Sequence, residues 1–214
     1  MQGSHYADAM VLLFDRNRPL RKQTRSILNV LGFKTFTEFG ELEEVRHALR
    51  TQRTDIAVMA LESTDCGVLD LIDDVRHQRC ALDPFIPILL TTWDAKLRSV
   101  RPVLEPGADD ILLNPYSTTQ MGQRIETLIH HRKPFVVTED YFGPDRRSTA
   151  ARDADPTSIV VPNALQATIV GQRAGAPTAS RINGTLGEFR RLKLRNMSRR
   201  IWFLADKLNN TREH

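Results

Sequence analysis

The sequence predicts an α/β protein, a doubly wound parallel five-stranded sheet of the (βα)5 type, followed by a linker and a C-terminal helix. Three observations predict this class. Short apolar runs without polar alternation recur along the first 115 residues, which is typical of strands buried on both faces. Between these runs the apolar residues follow a period near 3.6, which is typical of one-sided helices. Strands and helices alternate strictly, which favours parallel pairing through right-handed crossovers.

Five strands are predicted in chain order. The second is more polar and suits an edge of the sheet, whereas the other four are apolar throughout. The strands are Met10 to Phe14, Phe33 to Thr37, Ile56 to Leu61, Ile86 to Leu90 and Ile111 to Leu113.

Five amphipathic helices are predicted between and after the strands. Ser117 stands where it can cap the start of the fifth helix, and Pro134 stands where a helix ends. The apolar stripes run from Leu20 to Leu31, Leu42 to Leu49, Val68 to Val75, Leu97 to Leu104 and Met121 to Leu128.

Beyond residue 133 the alternation stops. We predict a first domain at 9–133, a partly ordered arm and linker at 134–185, and a basic amphipathic helix at 186–210. The arm places aromatic and guanidinium groups side by side, so we expect it to fold back on the domain through candidate contact residues Tyr141, Phe142, Arg146 and Arg147.

The C-terminal helix carries an apolar seam and most of the positive charge. From residue 181 onward there are nine Lys/Arg against three Asp/Glu, within a chain of net charge +4. Spacings of three and four indicate a helix that pairs with a partner or with a second copy. The seam residues are Leu194, Met197, Ile201, Leu204 and Leu208.

Three motifs carry a resemblance to a known family. They are Val11-Leu-Leu-Phe-Asp15, Pro87-Ile-Leu-Leu-Thr-Thr92 and Gly107-Ala-Asp-Asp-Ile-Leu-Leu-Asn-Pro115. Together they resemble a bacterial two-component response-regulator receiver domain of flavodoxin-like fold. The resemblance implies an acid pair after the first strand, a phosphate-accepting aspartate ending the third, a Ser/Thr ending the fourth and a lysine before a cis-proline after the fifth.

The sequence departs from this pattern at its reactive positions. Asp15 keeps the first acid, but Arg16 replaces the second, Ala60 replaces the acceptor and Asn114 replaces the lysine, while Thr92 and Pro115 match the family. A methyl group cannot be phosphorylated, and a cation beside Asp15 opposes metal binding. We therefore expect a degenerate receiver, not an enzyme, without cofactor or metal.

Two further interpretations concern the same pocket. Arg16 is expected to pair with Asp15 and replace the charge that metal and phosphate normally bring. The loop after the third strand is one residue shorter than in the resembling family, so Glu62 or Asp65 remains open as a substitute acceptor.

Other groups that can carry chemistry have simpler explanations. Adjacent histidines on a helix point about 100° apart and do not face one metal, so His130 and His131 are expected on the surface. The acid pairs Asp73-Asp74 and Asp109-Asp110 are expected to be structural, and two isolated cysteines, Cys66 and Cys80, to be plain thiols. The start of the chain lacks a secretory pattern, and a cytoplasmic protein without membrane insertion is expected.

The favoured function is signalling in a two-component pathway by phosphorylation-independent contact with a protein partner. The alternative is a regulator whose basic C-terminal helix binds nucleic acid. The expected contact surface of the domain includes Trp93, Leu97, Val100, Ile111 and Tyr116.

Overall fold

A computed structural model describes residues 6–63, 67–95, 106–138, 141–146, 158–171 and 177–211, with the side chains of 199 and 203–211 left out. Its centre is a parallel five-stranded sheet in the order β2-β1-β3-β4-β5, which confirms the predicted doubly wound α/β class. The strands are β1 Met10–Phe14, β2 Thr35–Phe39, β3 Ile56–Ala60, β4 Ile88–Thr92 and β5 Asp110–Leu113.

Four helices of the predicted (βα)5 pattern are described. The predicted helix from Leu97 to Leu104 lies outside the described residues. Ser117 caps the last of the four in a capping box, because its Oγ accepts from the Gln120 N–H at 3.2 Å while the Gln120 side chain accepts from the Ser117 N–H at 2.8 Å. The helices are α1 Arg18–Val30, α2 Leu42–Thr51, α3 Val68–Arg76 and α4 Thr118–His130.

The sheet separates two apolar clusters because side chains alternate along each strand. In β1, Leu12 and Phe14 pack with residues of α2 and α3, whereas Val11 and Leu13 pack with residues of α1 and α4. Ile111 is 4% exposed and belongs to the core, so its predicted role in a contact surface is wrong.

The chain after residue 133 is more ordered than the predicted arm and linker. Phe135–Val137 (β6) pairs antiparallel with Phe142–Pro144 (β7), a segment in which the sequence suggested only turns. Ala164–Ile169 forms a short helix, α5, whose Leu165 and Ile169 join the core of the domain. A domain boundary at 133 is therefore wrong, since buried packing continues across it.

The C-terminal helix, α6, runs from Ala179 to Thr211, so the predicted start at residue 186 is wrong. The earlier turns contain Gly184, a poor helix former, which hid them from sequence reasoning. Burial of Ile182, Leu186 and Phe189 against Phe85 and the β6–β7 hairpin overrides that low propensity.

Two arginines and one aspartate tie this tail to the sheet. Arg76 is completely buried and donates to the Gly107 carbonyl at 2.8 Å and to Asp109 Oδ2 at 2.9 Å. Arg132 Nε donates to Asp109 Oδ1 at 2.7 Å. Both guanidinium groups lie over the Phe135 ring, at 5.2 and 5.1 Å from its centroid. Asp109 therefore has the structural role expected from the sequence.

Gly107 is required by this arrangement. Its φ is +106°, a left-handed conformation, and a Cβ there would lie 2.8 Å from Cγ of Arg76. Any side chain would therefore push Arg76 out of its ion pair.

Other residues singled out in the sequence have ordinary surroundings. Cys80 is buried, His130 and His131 are exposed, and Asp73 and Asp74 form exposed ion pairs with Arg79. Cys66 lies outside the described residues. No helix in the described segments has the length and apolar character needed to cross a bilayer.

Candidate functional site at the carboxyl edge of the sheet

A cavity of about 260 Å³ opens where the carboxyl ends of β1, β3, β4 and β5 meet. This edge is where doubly wound folds place their sites, because the loops that follow parallel strands converge there. The lining residues are Asp15, Asn17, Leu20, Ala60, Leu61, Glu62, Thr91, Trp93 and Asn114.

Asp15 directly follows β1 and is 6% exposed. Its Oδ1 accepts from the Asn17 N–H at 2.8 Å, in a local turn that leads into α1. Burial raises the pKa of Asp15; the Asn17 hydrogen bond lowers it, the Glu62 carboxylate raises it further, and Arg21 lowers it. Asp15 therefore lies in a setting that disfavours its negative charge.

The expected pairing of Arg16 with Asp15 is wrong. Arg16 is exposed, and among the described residues no ion pair joins it to Asp15. Arg16 precedes the N-cap of α1 and extends into solvent, which avoids the desolvation of a guanidinium. The cation near the strand end is Arg21, from the first turns of α1, which donates to the backbone carbonyls of Asp15 and Phe39.

Arg21 is held by backbone oxygens more than by carboxylates. Its Nε lies 3.8 Å from Glu38 Oε2, which is an ion-pair distance but not a hydrogen bond, and this Nε is buried without a hydrogen-bond partner. The Arg21 side chain therefore links the ends of β1 and β2, beside the cavity.

Ala60 ends β3 and contributes a methyl group to the lining. It lies in register with Thr91 of β4, so the two side chains are neighbours on one face of the sheet. At the position where the resembling family carries its phosphate-accepting oxygen, this chain has no oxygen at all.

Thr91 lines the cavity, whereas Thr92, the threonine chosen from the sequence, is not among the lining residues. Adjacent residues of a strand face opposite sides, so the register that places Thr91 beside Ala60 turns Thr92 away. Thr92 is 1% exposed, and its Oγ1 accepts from the Asp94 N–H at 3.2 Å. The pairing register of β3 and β4 is the signal that could have identified Thr91.

Asn114 follows β5 and lines the cavity, and the Asn114-Pro115 peptide bond is cis, as the resemblance implied. The Asn114 amide supplies hydrogen bonds but no charge. None of the described lining residues is a lysine or arginine, so no lining cation is available to a phosphoryl group.

Glu62 does line the cavity, as one of the two substitute acceptors left open by the sequence, whereas Asp65 lies outside the described residues. Two carboxylates, Asp15 and Glu62, then share the pocket. Magnesium prefers octahedral coordination by several oxygen ligands, and the described residues contain no group of three acidic, histidine or cysteine side chains that could hold a metal.

The expected interaction residues divide into exposed and packed groups. Trp93 is 59% exposed at the rim of the cavity. Tyr116 is turned inward, because its hydroxyl lies 2.7 Å from Thr24 Oγ1 of α1, and burial raises its pKa. Its hydroxyl is therefore engaged within the domain, and its role in a contact surface stays a prediction. Leu97 and Val100 lie outside the described residues.

The arm folds back through its aromatic residues. Phe142 packs in the cluster around Phe85, and the Tyr141 hydroxyl donates to the Pro144 carbonyl at 2.7 Å. Arg146 lies over the Tyr141 ring at 4.5 Å, so both predicted contact residues are occupied within the chain. Arg147 lies outside the described residues.

The C-terminal seam exposes three large apolar side chains at helical spacing. Leu194 is 64% exposed, Met197 46% and Ile201 65%. The side chains of Leu204 and Leu208 lie outside the described residues.

Together, the strand order and the position of the cavity define a doubly wound α/β domain of receiver-type fold with a cavity at the carboxyl edge of its sheet. No protein-family model matches the chain. Over 130 residues the chain is 27% identical to the probable transcriptional regulatory protein TcrX of Mycobacterium tuberculosis. The matched region covers 61% of this chain and 53% of that protein. Over 174 residues it is 26% identical to the transcriptional regulatory protein PrrA of Mycobacterium leprae, covering 81% of this chain and 63% of that protein. The chain thus spans less than two thirds of these relatives.

Solved structures of similar fold cover slightly more than half of the chain. An orphan response regulator of H. pylori, HP1043, is 22% identical with a TM-score of 0.45 and covers 56% of this chain and 96% of that one. The chemotaxis protein CheY4 of Vibrio cholerae is 19% identical with a TM-score of 0.49, and the match covers 56% of this chain and 98% of that one. The response regulator receiver protein of Pseudomonas putida is 23% identical with a TM-score of 0.48, and the match covers 56% of this chain and 98% of that one.

Proposed function

We propose that this protein is a non-enzymatic component of two-component signalling that works by protein contact without phosphorylation of its receiver-type domain. The observation that carries the proposal is Ala60 at the end of β3, inside the cavity and beside Thr91. Phosphoryl transfer to a receiver needs an acceptor oxygen there, and a methyl group supplies none.

The electrostatics of the cavity support the same proposal. A phosphoryl group brings negative charge, which needs a cation or a metal ion for compensation. The described lining offers two carboxylates, Asp15 and Glu62, and the neutral amides of Asn17 and Asn114. Burial and the Glu62 charge both raise the pKa of Asp15, so an added anion would meet repulsion.

The location of the tail also supports output by a fixed surface. The arm and the first turns of α6 pack near Phe85, just before β4 begins, while the cavity lies where β4 ends. Five residues of strand separate the two places by roughly 15 Å. The described part of the tail thus packs away from the cavity lining, which supports an output surface that does not depend on the pocket.

The test uses the full chain with Trp202→Phe, which leaves Trp93 at the cavity rim as the single tryptophan of the two in the sequence. Magnesium and then acetyl phosphate are titrated while Trp93 fluorescence is followed, and the product is examined by mass spectrometry. We expect no saturable change and no phosphorylated protein.

A matched variant shows that the assay can detect a response. Ala60→Asp with Asn114→Lys restores an acceptor oxygen and a phosphate-binding cation, so this variant is expected to bind magnesium and change Trp93 fluorescence. A phosphorylated species in the protein with Ala60 intact would contradict the proposal, and its loss in Glu62→Gln would identify Glu62 as the acceptor.

Exposure of the basic residues of α6 favours one second candidate, binding of nucleic acid. Arg190, Arg191, Lys193, Arg195 and Arg200 are exposed on a helix that extends beyond the packed cluster. Binding through such residues would depend on phosphate contacts, so its affinity would fall steeply between low and physiological salt. Absence of binding to duplex DNA and to RNA at low salt would exclude this candidate.

A further inference from the structure

The cavity at the carboxyl edge of the sheet carries charge of one sign only. Asp15 and Glu62 line it, and none of the described lining residues is a lysine, an arginine or a histidine. Asp15 is 6% exposed, whereas Glu62 is exposed. Two carboxylates at one cavity repel each other, and a cation between them removes that repulsion. The cavity therefore favours a cationic group over a neutral or anionic one.

The Asp15 carboxylate keeps one oxygen for such a group. Oδ1 accepts from the Asn17 N–H at 2.8 Å, while the hydrogen bonds among the described residues leave Oδ2 without a donor. Burial raises the pKa of Asp15, the Asn17 hydrogen bond lowers it, and the Glu62 charge raises it again. A cation in the cavity would stabilise the ionised carboxylate in this setting.

The two nearest arginines do not supply this cation. Arg21 donates to the backbone carbonyls of Asp15 and Phe39, and its charge lowers the pKa of Asp15 less than burial raises it. Arg16 is exposed and is not a lining residue. Within the described part of the chain, the cavity thus has no cation of its own, and another molecule has to provide one.

The size and lining of the cavity indicate which kind of cation fits. Its volume of about 260 Å³ is below the range of roughly 300 to 1,000 Å³ that is typical of small-molecule sites, so it suits a single side chain. Leu20 and Leu61 offer apolar surface to an aliphatic stem. Trp93, 59% exposed in the same lining, offers an indole that attracts cations. A guanidinium stacks on aromatic rings, pairs with carboxylates through two hydrogen bonds and is less strongly hydrated than an ammonium.

We propose that this cavity binds an arginine side chain of a partner protein, whose guanidinium pairs with the carboxylates of Asp15 and Glu62 and stacks on Trp93. The inference rests on the proposed function, because it names the chemistry by which the partner recognises the receiver-type domain. The cavity is then a contact point in its own right, separate from the surface of the tail.

The test uses the full chain with Trp202→Phe, so that Trp93 reports on the cavity. Three short capped peptides of glycine and alanine serve as probes, with arginine, lysine or citrulline at the centre. Citrulline has nearly the shape of arginine but no charge. We expect the arginine peptide to change Trp93 fluorescence saturably at low salt and to bind at least about fivefold more tightly than the citrulline peptide. The lysine peptide is expected to bind more weakly than the arginine peptide.

Variants assign the binding to the two carboxylates. Glu62→Gln, at an exposed position that packing does not require, is expected to weaken binding of the arginine peptide at least about threefold. Adding Asp15→Asn is expected to abolish the preference over citrulline, with circular dichroism to show that the domain remains folded. Glu44→Gln removes an exposed carboxylate of α2 outside the lining and is the matched control, which is expected to leave binding unchanged.

Four outcomes overturn the inference. Equal affinity for the arginine and citrulline peptides removes the role of charge, and equal affinity for arginine and lysine removes the choice of a guanidinium. Binding that occurs only after Arg16→Gln makes Arg16 the internal cation of the cavity. Displacement of the arginine peptide by magnesium makes the cavity a metal site. The mass spectrum after acetyl phosphate decides the proposed function without any peptide, so failure of the one proposal is distinguishable from failure of the other.

Discussion

Asp83 is a half-buried residue whose Oδ2 is buried and unsatisfied. Its Oδ1 accepts from the Phe85 N–H at 2.8 Å, whereas Oδ2 is buried and has no hydrogen-bond partner. Burial raises the pKa of Asp83 to about 6, although the Phe85 hydrogen bond and the charges of Arg132 and Arg76 act in the opposite direction. The folded protein therefore holds a proton on Asp83 at a pH where the unfolded chain has lost it.

This residue makes stability depend on pH. Between the ordinary value of 3.8 and about 6, the folded state binds more protons than the unfolded state, so the free energy of unfolding falls as pH rises through this window. Asp83→Asn keeps the acceptor for Phe85 and removes the charge. We expect it to raise the free energy of unfolding at pH 7 by about 1 to 2 kcal/mol, allowing for partial exposure, and to leave it nearly unchanged at pH 4.

Urea denaturation at the two pH values measures this difference. Asp70→Asn, at an exposed position of α3, is the control and is expected to show no comparable gain at pH 7. Equal stability of Asp83→Asn and the parent protein at pH 7 would contradict the assignment of Asp83 as a buried, unfavourable charge.

At the scale of elements, Asp109 links α3, α4 and β4. It accepts from Arg76 and Arg132 through both oxygens and from the Ile88 N–H at 2.8 Å. Burial lowers the pKa of Arg76 to about 10, yet the group remains charged at neutral pH. Asp109 is thus the counter-ion for two guanidinium groups that have almost no access to water.

We expect Asp109→Asn to lower the free energy of unfolding by about 3 to 5 kcal/mol, because it leaves buried cations without a compensating charge. The adjacent Asp110→Asn is a matched control. Asp110 pairs with Arg124, and both side chains are partly exposed, so its replacement is expected to cost less than about 1 kcal/mol. Denaturant titration of the two variants side by side tests the prediction, and similar losses would contradict it.

Elements with a strong periodic pattern could be predicted from the sequence, whereas elements stabilised by distant contacts could not. The five strands and the cap at Ser117 follow from local patterns. Helix α5 is six residues long, too short to show a period, and β7 contains Gly143 and Pro144, which favour turns. Both form because the domain supplies an apolar surface on which they pack.

The candidate site shows the same limit at finer detail. The absence of an acceptor oxygen at Ala60 and of a charge at Asn114 could be predicted, because spacing along the chain places these residues at strand ends. The sequence did not identify Arg21 as the cation at the end of β1 or Thr91 as the threonine of the lining, because both depend on side-chain direction. Direction follows from strand register and from the start of α1, which the sequence pattern does not define to one residue.

At the scale of the whole molecule, the tail completes the hydrophobic core of the domain. Phe135 covers Arg76, Arg132 and Phe85 at the amino edge of the sheet, and Leu165 and Ile169 complete the cluster beside α1 and α4. By contrast, Leu194, Met197 and Ile201 lie on the uncovered face of α6. We therefore expect the folding unit to extend beyond residue 133 into α6, to about residue 192.

A chain that ends at residue 133 is expected to lose cooperative folding. Removal of the tail exposes Phe85 and the Arg76–Asp109–Arg132 cluster and deletes several core side chains, each worth about 2 to 5 kcal/mol, from a domain whose total stability is about 5 to 15 kcal/mol. A chain that ends at residue 192 keeps Ile182, Leu186 and Phe189, and its free energy of unfolding is expected to lie within about 1 kcal/mol of the full-length value.

Urea denaturation followed by circular dichroism distinguishes the two truncations. The chain ending at 192 also lacks Leu194, Met197 and Ile201, so its expected stability would show that the exposed part of α6 is not needed for folding. A stable, cooperatively unfolding chain that ends at 133 would contradict this view, because the tail would then be an attachment and Phe135 would not be part of the core.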